Sequence, residues 1–103
     1  STSKEFVEYV CEQIHEVGFL RYKKMFGEYM IYINDKPILL VCDNTVYIKK
    51  LDCLAELMKE APTAIPYPVQ ERYILDIENH QLAKEIISIL ESITPLPKPK
   101  KKK

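Results

Sequence analysis

The spacing of apolar positions predicts a helix near each end of the chain. In the first segment they recur every three or four residues, as on one helix face, at Phe6, Val10, Ile14 and Val17. Ser3 suits the N-cap, and Gly18 ends this helix because glycine adopts a left-handed backbone at little cost. The last helix begins after Asn79 and stops at Thr94 and Pro95. Its apolar stripe consists of Leu82, Ile86, Ile89, Leu90 and Ile93.

Residues 21–49 alternate between β-rich runs and short polar breaks, which predicts strands joined by tight turns. The runs of β-branched and aromatic residues predict strands at 21–26, 28–33, 37–43 and 46–49. The breaks at 34–36 and 43–45 contain asparagine and aspartate, which favour chain reversals. Because these links are too short for crossover connections, the strands are expected to form an antiparallel meander.

The segment after the meander predicts three further elements. Asp52 is expected to cap a short helix over 53–60, whose inward residues are Leu54, Leu57 and Met58. Three prolines in residues 61–71 predict a loop. The run R-Y-I-L-D-I at 72–77 then predicts a fifth strand.

These elements predict an α+β fold in the order α-β(4)-α-β-α, a two-layer sandwich with helices on a mostly antiparallel sheet. The domain is expected to span 1–94, and the proline- and lysine-rich residues 95–103 to form an extended tail. Strands 28–33 and 37–43 are apolar at nearly every position, whereas a half-exposed strand alternates. Either the chain covers the second face of the sheet or another copy does. Since three helices are few for two faces, we expect a homodimer.

Charge is divided unevenly along the 103 residues, although the net charge is zero. Five of the 15 basic residues lie in the tail, which leaves ten against 15 acidic residues in 1–97 and a net charge of −5. An acidic body binds DNA poorly, so weak contact with a nucleic acid is expected to use the tail. Its lysines are Lys98, Lys100, Lys101, Lys102 and Lys103. The alternative is a solubilising terminal segment.

Composition predicts a soluble, cytoplasmic protein. Hydrophobic residues make up 47% and charged residues 29%, which excludes a wholly disordered or fibrous chain. No apolar run approaches the ~20 residues that span a bilayer, so no membrane contact is expected. The first residues lack the basic-then-apolar layout of a secretory signal. Cys11, Cys42 and Cys53 show no C-x-x-C spacing and are expected to be free thiols.

A central stretch closely resembles the N-terminal domain of the TfoX/Sxy family: K-K-M-F-G-E-Y-M-I-Y-I-N-D-K-P-I-L-L-V-C-D-N-T-V-Y-I-K. The resemblance extends over residues 5–93 as an ordered series of blocks. The matching residues are Lys23, Lys24, Met25, Phe26, Gly27, Tyr29, Tyr32, Asp35, Lys36, Asp43, Tyr47, Lys49, Ile65, Pro66, Tyr67, Arg72 and Tyr73. It implies a two-layer fold of the type also seen in secretion chaperones, often dimeric. It also implies regulation of competence (DNA-uptake) genes together with a cyclic-AMP-dependent activator.

The sequence shows no pattern typical of catalysis, metal binding or a cofactor. His15 and His80 lack metal-ligand spacing and are expected at the surface. Two glycines cannot build a glycine-rich phosphate cradle, and no enzymatic activity is expected. Tyr29, Tyr32 and Tyr47 have lysines nearby and suit a stacking platform for single-stranded nucleic acid. The alternative is that these tyrosines pack under helices or at a dimer interface.

These observations together predict a small cytoplasmic regulatory or interaction module that acts through protein partners. A transcriptional role of the competence type follows from the family resemblance. The alternative is a nucleic-acid-associated protein whose lysine tail provides the affinity.

Overall fold

Within the described part of the chain, an antiparallel sheet of six strands forms one layer and two α-helices form the other. This computed structural model describes residues 2–25, 28–65 and 71–96. The helices are α1 (Lys4–Gln13) and α2 (His80–Ile93). The strands are β1 (Leu20–Met25), β2 (Glu28–Ile33), β3 (Lys36–Cys42), β4 (Thr45–Lys49), β5 (Thr63–Ala64) and β6 (Arg72–Ile74). Their order in the sheet is β1-β2-β3-β4-β6-β5, and the predicted α+β class is confirmed.

Both helices begin at the caps that the sequence predicts. The Ser3 hydroxyl accepts a hydrogen bond from the Phe6 amide at 3.1 Å, and the Asn79 side chain accepts one from the Leu82 amide at 3.3 Å. Each cap therefore satisfies one of the amides that the first helical turn leaves unpaired. The buried helix residues are Val7 and Val10 in α1 and Ala83, Ile86, Ile87 and Leu90 in α2.

Tight turns join the strands of the meander at the predicted polar breaks. The φ angles are 52° and 68° at Asn34 and Asp35, and 52° and 54° at Asp43 and Asn44. Positive φ at both central residues is the type I′ geometry, whose twist matches that of the paired strands. The β1–β2 connection, which contains Phe26 and Gly27, lies outside the described residues.

The helix predicted over 53–60 is not an α-helix in the structure. A 3-10 turn spans Asp52–Leu54 without a side-chain cap, and further turns continue to residue 60. A segment this short gains too few hydrogen bonds to offset helix nucleation, and Pro62 prevents its extension. Leu54 and Met58 are nevertheless buried, as their spacing predicts.

The far edge of the sheet also differs from the sequence prediction. Residues 61–71, predicted as a loop, contain β5, in which Thr63 pairs with Tyr73. The strand predicted over 72–77 is shorter in the structure, where β6 spans only Arg72–Ile74. A two-residue edge strand depends on backbone hydrogen bonds to its neighbour, so no side-chain pattern marks it in the sequence.

The hydrophobic core lies between the helices and one side of the sheet, which we call the helix face. The strand residues in this core include Tyr29, Ile31, Ile33, Leu39, Val41, Val46, Ile48 and Tyr73. Because successive residues of a strand point to opposite sides, the alternate residues lie on the other side, which we call the outer face. Neither α-helix packs on the outer face, since the buried residues of both belong to the core on the helix face.

Candidate interaction surface

Strand register aligns a row of apolar side chains across the middle of the outer face. Met30 pairs with Leu40, Leu40 with Tyr47, and Tyr47 with Ile74. We call these four residues the apolar row. Tyr47 is only 8% exposed, and burial raises the pKa of its phenol. The other three are half-buried, and none of the four packs against the core on the helix face.

Cationic side chains form a second row beside the apolar row. Arg21 on β1 pairs with Tyr32 on the neighbouring strand β2, and its guanidinium lies 4.3 Å from the centre of the Tyr32 ring. At the other side of the sheet Lys49 pairs with Arg72. We call Arg21, Tyr32, Lys49 and Arg72 the basic row. The outer face therefore combines an apolar centre with positive charge along one flank, a composition typical of binding surfaces.

The three tyrosines considered as a stacking platform do not share a face of the sheet. Tyr29 lies in the core on the helix face, 8% exposed, with its ring edge-on to Tyr22 at 5.7 Å. Tyr32 and Tyr47 lie on the outer face, separated by β3. Since Tyr29 and Tyr32 are three residues apart in one strand, alternation places them on opposite faces, and this spacing was the signal available in the sequence. Tyr29 therefore does not contribute to a stacking platform, and the alternative, packing under the helices, is confirmed for this residue.

The other residues of the family resemblance are distributed over both faces. Lys23 lies on the outer face beside Met30, whereas Lys24 pairs with Tyr29 at the exposed edge strand. Tyr73 is buried in the core on the helix face. Phe26, Gly27 and Tyr67 lie outside the described residues, as do the tail lysines from Lys98 onwards. The side chain of Met25 is likewise outside the description.

The chain near its amino terminus closes one end of the outer face. The Thr2 hydroxyl donates a hydrogen bond to the Glu28 carboxylate at 2.6 Å and accepts one from the Asn44 amide at 3.2 Å. The Asp43 amide also donates to Glu28, at 3.2 Å. These bonds hold the β3–β4 turn against β2, and they engage the carboxylate that β2 carries on the outer face.

A cleft of about 640 Å³ lies between the end of α1 and the start of α2 and contains both histidines. His80 Nε2 lies 2.6 Å from Gln13 Oε1, and Lys84 forms an ion pair with Glu16 at 3.2 Å. The hydrogen bond from Lys84 lowers the pKa of the Glu16 carboxyl. The sequence did not indicate this cleft, because its two sides are more than 60 residues apart. Among the residues described, no group of three potential metal ligands comes together.

The cysteines are free, as the sequence predicts, and occupy three different environments. Cys11 is half-buried, and burial together with Glu8 raises the pKa of its thiol. Cys42 is buried, which also raises its pKa, and Cys53 is exposed. In the ranges that the structure covers, no helix is long and apolar enough to cross a membrane.

The chain is similar to known proteins over most of its length. The family model described as the TfoX N-terminal domain matches residues 12–88. A protein of Spirochaeta aurantia, described as an uncharacterised 12.7 kDa protein in the trpE 5′ region, is 26% identical over 106 residues. That alignment covers 100% of this chain and 92% of the relative. The matched stretch contains every strand of the described sheet and both rows of the outer face.

Proposed function

The chain belongs to the TfoX N-terminal domain family, and from this premise we propose that it is a small regulatory module that acts by binding other protein chains. Family membership supports a regulatory or interaction role. The resemblance to competence regulators extends the proposal to control of transcription through a protein partner.

The observation that carries this proposal is the apolar row on the outer face. Met30, Leu40 and Ile74 remain partly accessible there, with no described helix covering them. Neighbouring apolar side chains that remain partly accessible gain free energy when a partner buries them. We take the occupant to be a second copy of this chain, because a two-fold interface buries the same row on both copies at once.

The dimensions of the outer face suit a small interface between two copies. Strands β1 to β4 have five to seven residues and β6 has three, so at a spacing of about 4.8 Å they cover about 400 Å² in projection. Specific interfaces bury about 800 Å² of accessible surface per partner, about twice this projected area, which places the face with small, transient interfaces. We therefore expect a dimer that dissociates on dilution rather than an obligate one, since obligate interfaces are larger.

Charge favours one of the two face-to-face arrangements that a two-fold axis allows. An axis parallel to the strands would place the basic row of one copy against that of the other, which is repulsive. An axis across the strands places each basic row over the opposite end of the outer face, where Glu28 lies. The apolar rows coincide in both arrangements, so electrostatics decides between them.

Sedimentation equilibrium from low to high micromolar concentration tests the dimer. The mass is expected to approach about 24 kDa, twice the 12.1 kDa of the chain. Leu40→Lys should keep the protein monomeric, because it places a charge in the apolar row of both copies. Ile93→Lys, at a side chain of α2 that is 49% exposed, is the matched control and should still dimerise. A wild-type chain that stays at 12.1 kDa throughout would overturn the proposal.

The alternative function, nucleic-acid association through the lysine tail, makes a different prediction for the same protein. Neutralising about five phosphates gives a salt slope near −4 to −5 for duplex DNA. Binding with that slope, abolished by deletion of residues 97–103 but unaffected by Leu40→Lys, would favour the alternative.

A further inference from the structure

Three basic residues meet where β4 ends and β6 begins. Lys49 pairs directly with Arg72 across the two antiparallel strands, and Lys50 follows Lys49. Together with Leu51 and Glu71 they line a cleft of about 220 Å³. Residues 1–97 carry a net charge of −5, so these three cations form a positively charged patch on an acidic domain.

Among the described residues, Lys49, Lys50 and Arg72 form no ion pair, so three cations share this cleft with one carboxylate, that of Glu71. Arg72 forms no ion pair, and its Nε is fully buried without a hydrogen-bond partner there. Burial lowers the pKa of the Arg72 guanidinium, which is the direction expected for a cation removed from water without a counter-charge. By contrast, Arg21 pairs with Asp35 at 3.1 Å and Lys84 with Glu16 at 3.2 Å.

Glu71, the acidic residue that lines the cleft, offsets only part of its positive charge. Glu71 accepts a hydrogen bond from the Thr63 hydroxyl at 2.8 Å, which ties it to β5. Lys50 Nζ lies 5.6 Å from the centre of the Tyr73 ring, a distance typical of a cation–π contact, so this ammonium is positioned without a carboxylate. Arg72 is half-buried, whereas Lys49 and Lys50 are exposed. A half-buried cation without an anion is unfavourable in a folded protein, and an anionic ligand at Arg72 would relieve that cost.

We propose that Lys49, Lys50 and Arg72 form a binding site for a phosphate monoester group. A monoester carries a charge of about −1.5 to −2 at neutral pH, which suits three cations better than a single carboxylate does. The planar Arg72 guanidinium and the Lys49 ammonium, on paired residues of the outer face, supply donors for its terminal oxygens, and Lys50 adds positive charge to the cleft wall. The site is formed by residues of one copy, but Lys49 and Arg72 also belong to the basic row, so phosphate and a second copy would compete for this end of the outer face.

Amide chemical-shift titration of the full chain with inorganic phosphate, at constant ionic strength, tests the site. We expect saturable shifts confined to residues 49–51 and 71–73, with millimolar affinity for the isolated group. O-phosphoserine and glycerol 3-phosphate, titrated in the same way, distinguish a phosphorylated side chain from a phosphorylated metabolite by which binds more tightly than inorganic phosphate.

Two variants and a control separate this site from general charge attraction. Arg72→Gln should weaken phosphate binding about tenfold or more, since it removes a charged donor. Lys50→Gln, at an exposed side chain, gives a second test if Arg72→Gln perturbs the fold. Arg21→Gln removes the same charge from the same face and should leave affinity unchanged.

Three results would overturn the phosphate site. Shifts that fail to saturate and spread over all lysines would indicate nonspecific ion attraction. Equal losses in Arg21→Gln and Arg72→Gln would show that only net charge matters. Stronger shifts at the same amides from a single-stranded oligonucleotide without terminal phosphates would assign the cleft to a phosphodiester backbone instead.

Discussion

At the scale of single residues, Gly18 adopts a backbone conformation that other residues avoid. Its φ of 146° and ψ of −164° lie in a region essentially restricted to glycine. A side chain there would also place its Cβ 2.9 Å from Asn34 Nδ2. Two hydrogen bonds to Phe19 hold Asn34 in position. Asn34 Oδ1 accepts one from the Phe19 backbone N–H at 3.0 Å, and the Asn34 backbone N–H donates one to the Phe19 carbonyl at 2.8 Å.

We predict that Gly18→Ala lowers the free energy of unfolding by about 1–3 kcal/mol, because the strained backbone is retained in the folded state. Urea unfolding followed by circular dichroism measures the change. Introducing Gly18→Ala into an Asn34→Ala background separates the two causes. If backbone strain dominates, the loss persists without the Asn34 side chain. Full recovery there would assign the loss to steric overlap.

At the scale of elements, one lysine links the sheet to the end of α2. Lys36 Nζ donates to the Glu91 backbone carbonyl at 2.7 Å and lies 3.3 Å from the Glu91 carboxylate. That carbonyl belongs to the last turn of α2, where carbonyls lack partners within the helix and a positive charge is favourable. The two side chains are only 19% and 30% exposed, so water screens the contact weakly.

We predict that Lys36→Met destabilises the fold by about 1–2 kcal/mol, because it leaves a charged group and a helix-terminal carbonyl without their donor. Lys59→Met is the matched control. Its ion pair with Glu56 is 64% and 86% exposed, and removing it should change stability by less than about 0.5 kcal/mol. Equal urea midpoints for the two variants would contradict the assignment of a structural role to Lys36.

At the scale of the whole molecule, two thiols and one phenol that folding removes from water make the stability of the folded state sensitive to alkaline pH. Burial raises the pKa of the Cys11 and Cys42 thiols and of the Tyr47 phenol. In the unfolded chain these groups ionise nearer their usual values, about 8.5 for cysteine and 10 for tyrosine. As pH rises above those values the unfolded state binds fewer protons than the folded state, so stability falls with pH.

We therefore predict that the urea midpoint decreases as the pH is raised from about 8.5 to 10.5. Near neutral pH these groups are protonated in both states and do not change the midpoint. The measurement requires a reductant to keep the thiols free. A variant with both Cys11→Ala and Cys42→Ala should show a shallower fall. A midpoint that rises over this interval would contradict the direction of the shifts.

Local features of the fold were predictable from the sequence because they depend on residues within one helical turn or one hairpin. Ser3 and Asn79 cap helices through hydrogen bonds that span three residues. Asparagine and aspartate at 34–35 and 43–44 tolerate the positive φ of type I′ turns, so the meander followed from its polar breaks. The short helix expected after Asp52 was wrong because eight residues with a proline close behind cannot sustain one.

The candidate sites were decided by the tertiary structure. A strand that is apolar at every position does not reveal which of its faces the helices cover, so only the packing separates Tyr29 from the apolar row. Lys49 and Arg72 are 23 positions apart in the sequence and become neighbours only through β4–β6 pairing. Antiparallel pairing joins distant segments by backbone hydrogen bonds that carry no side-chain signature. The sequence therefore determined the elements and the surplus of apolar strand residues, and the tertiary structure alone determined where charge and apolar surface meet.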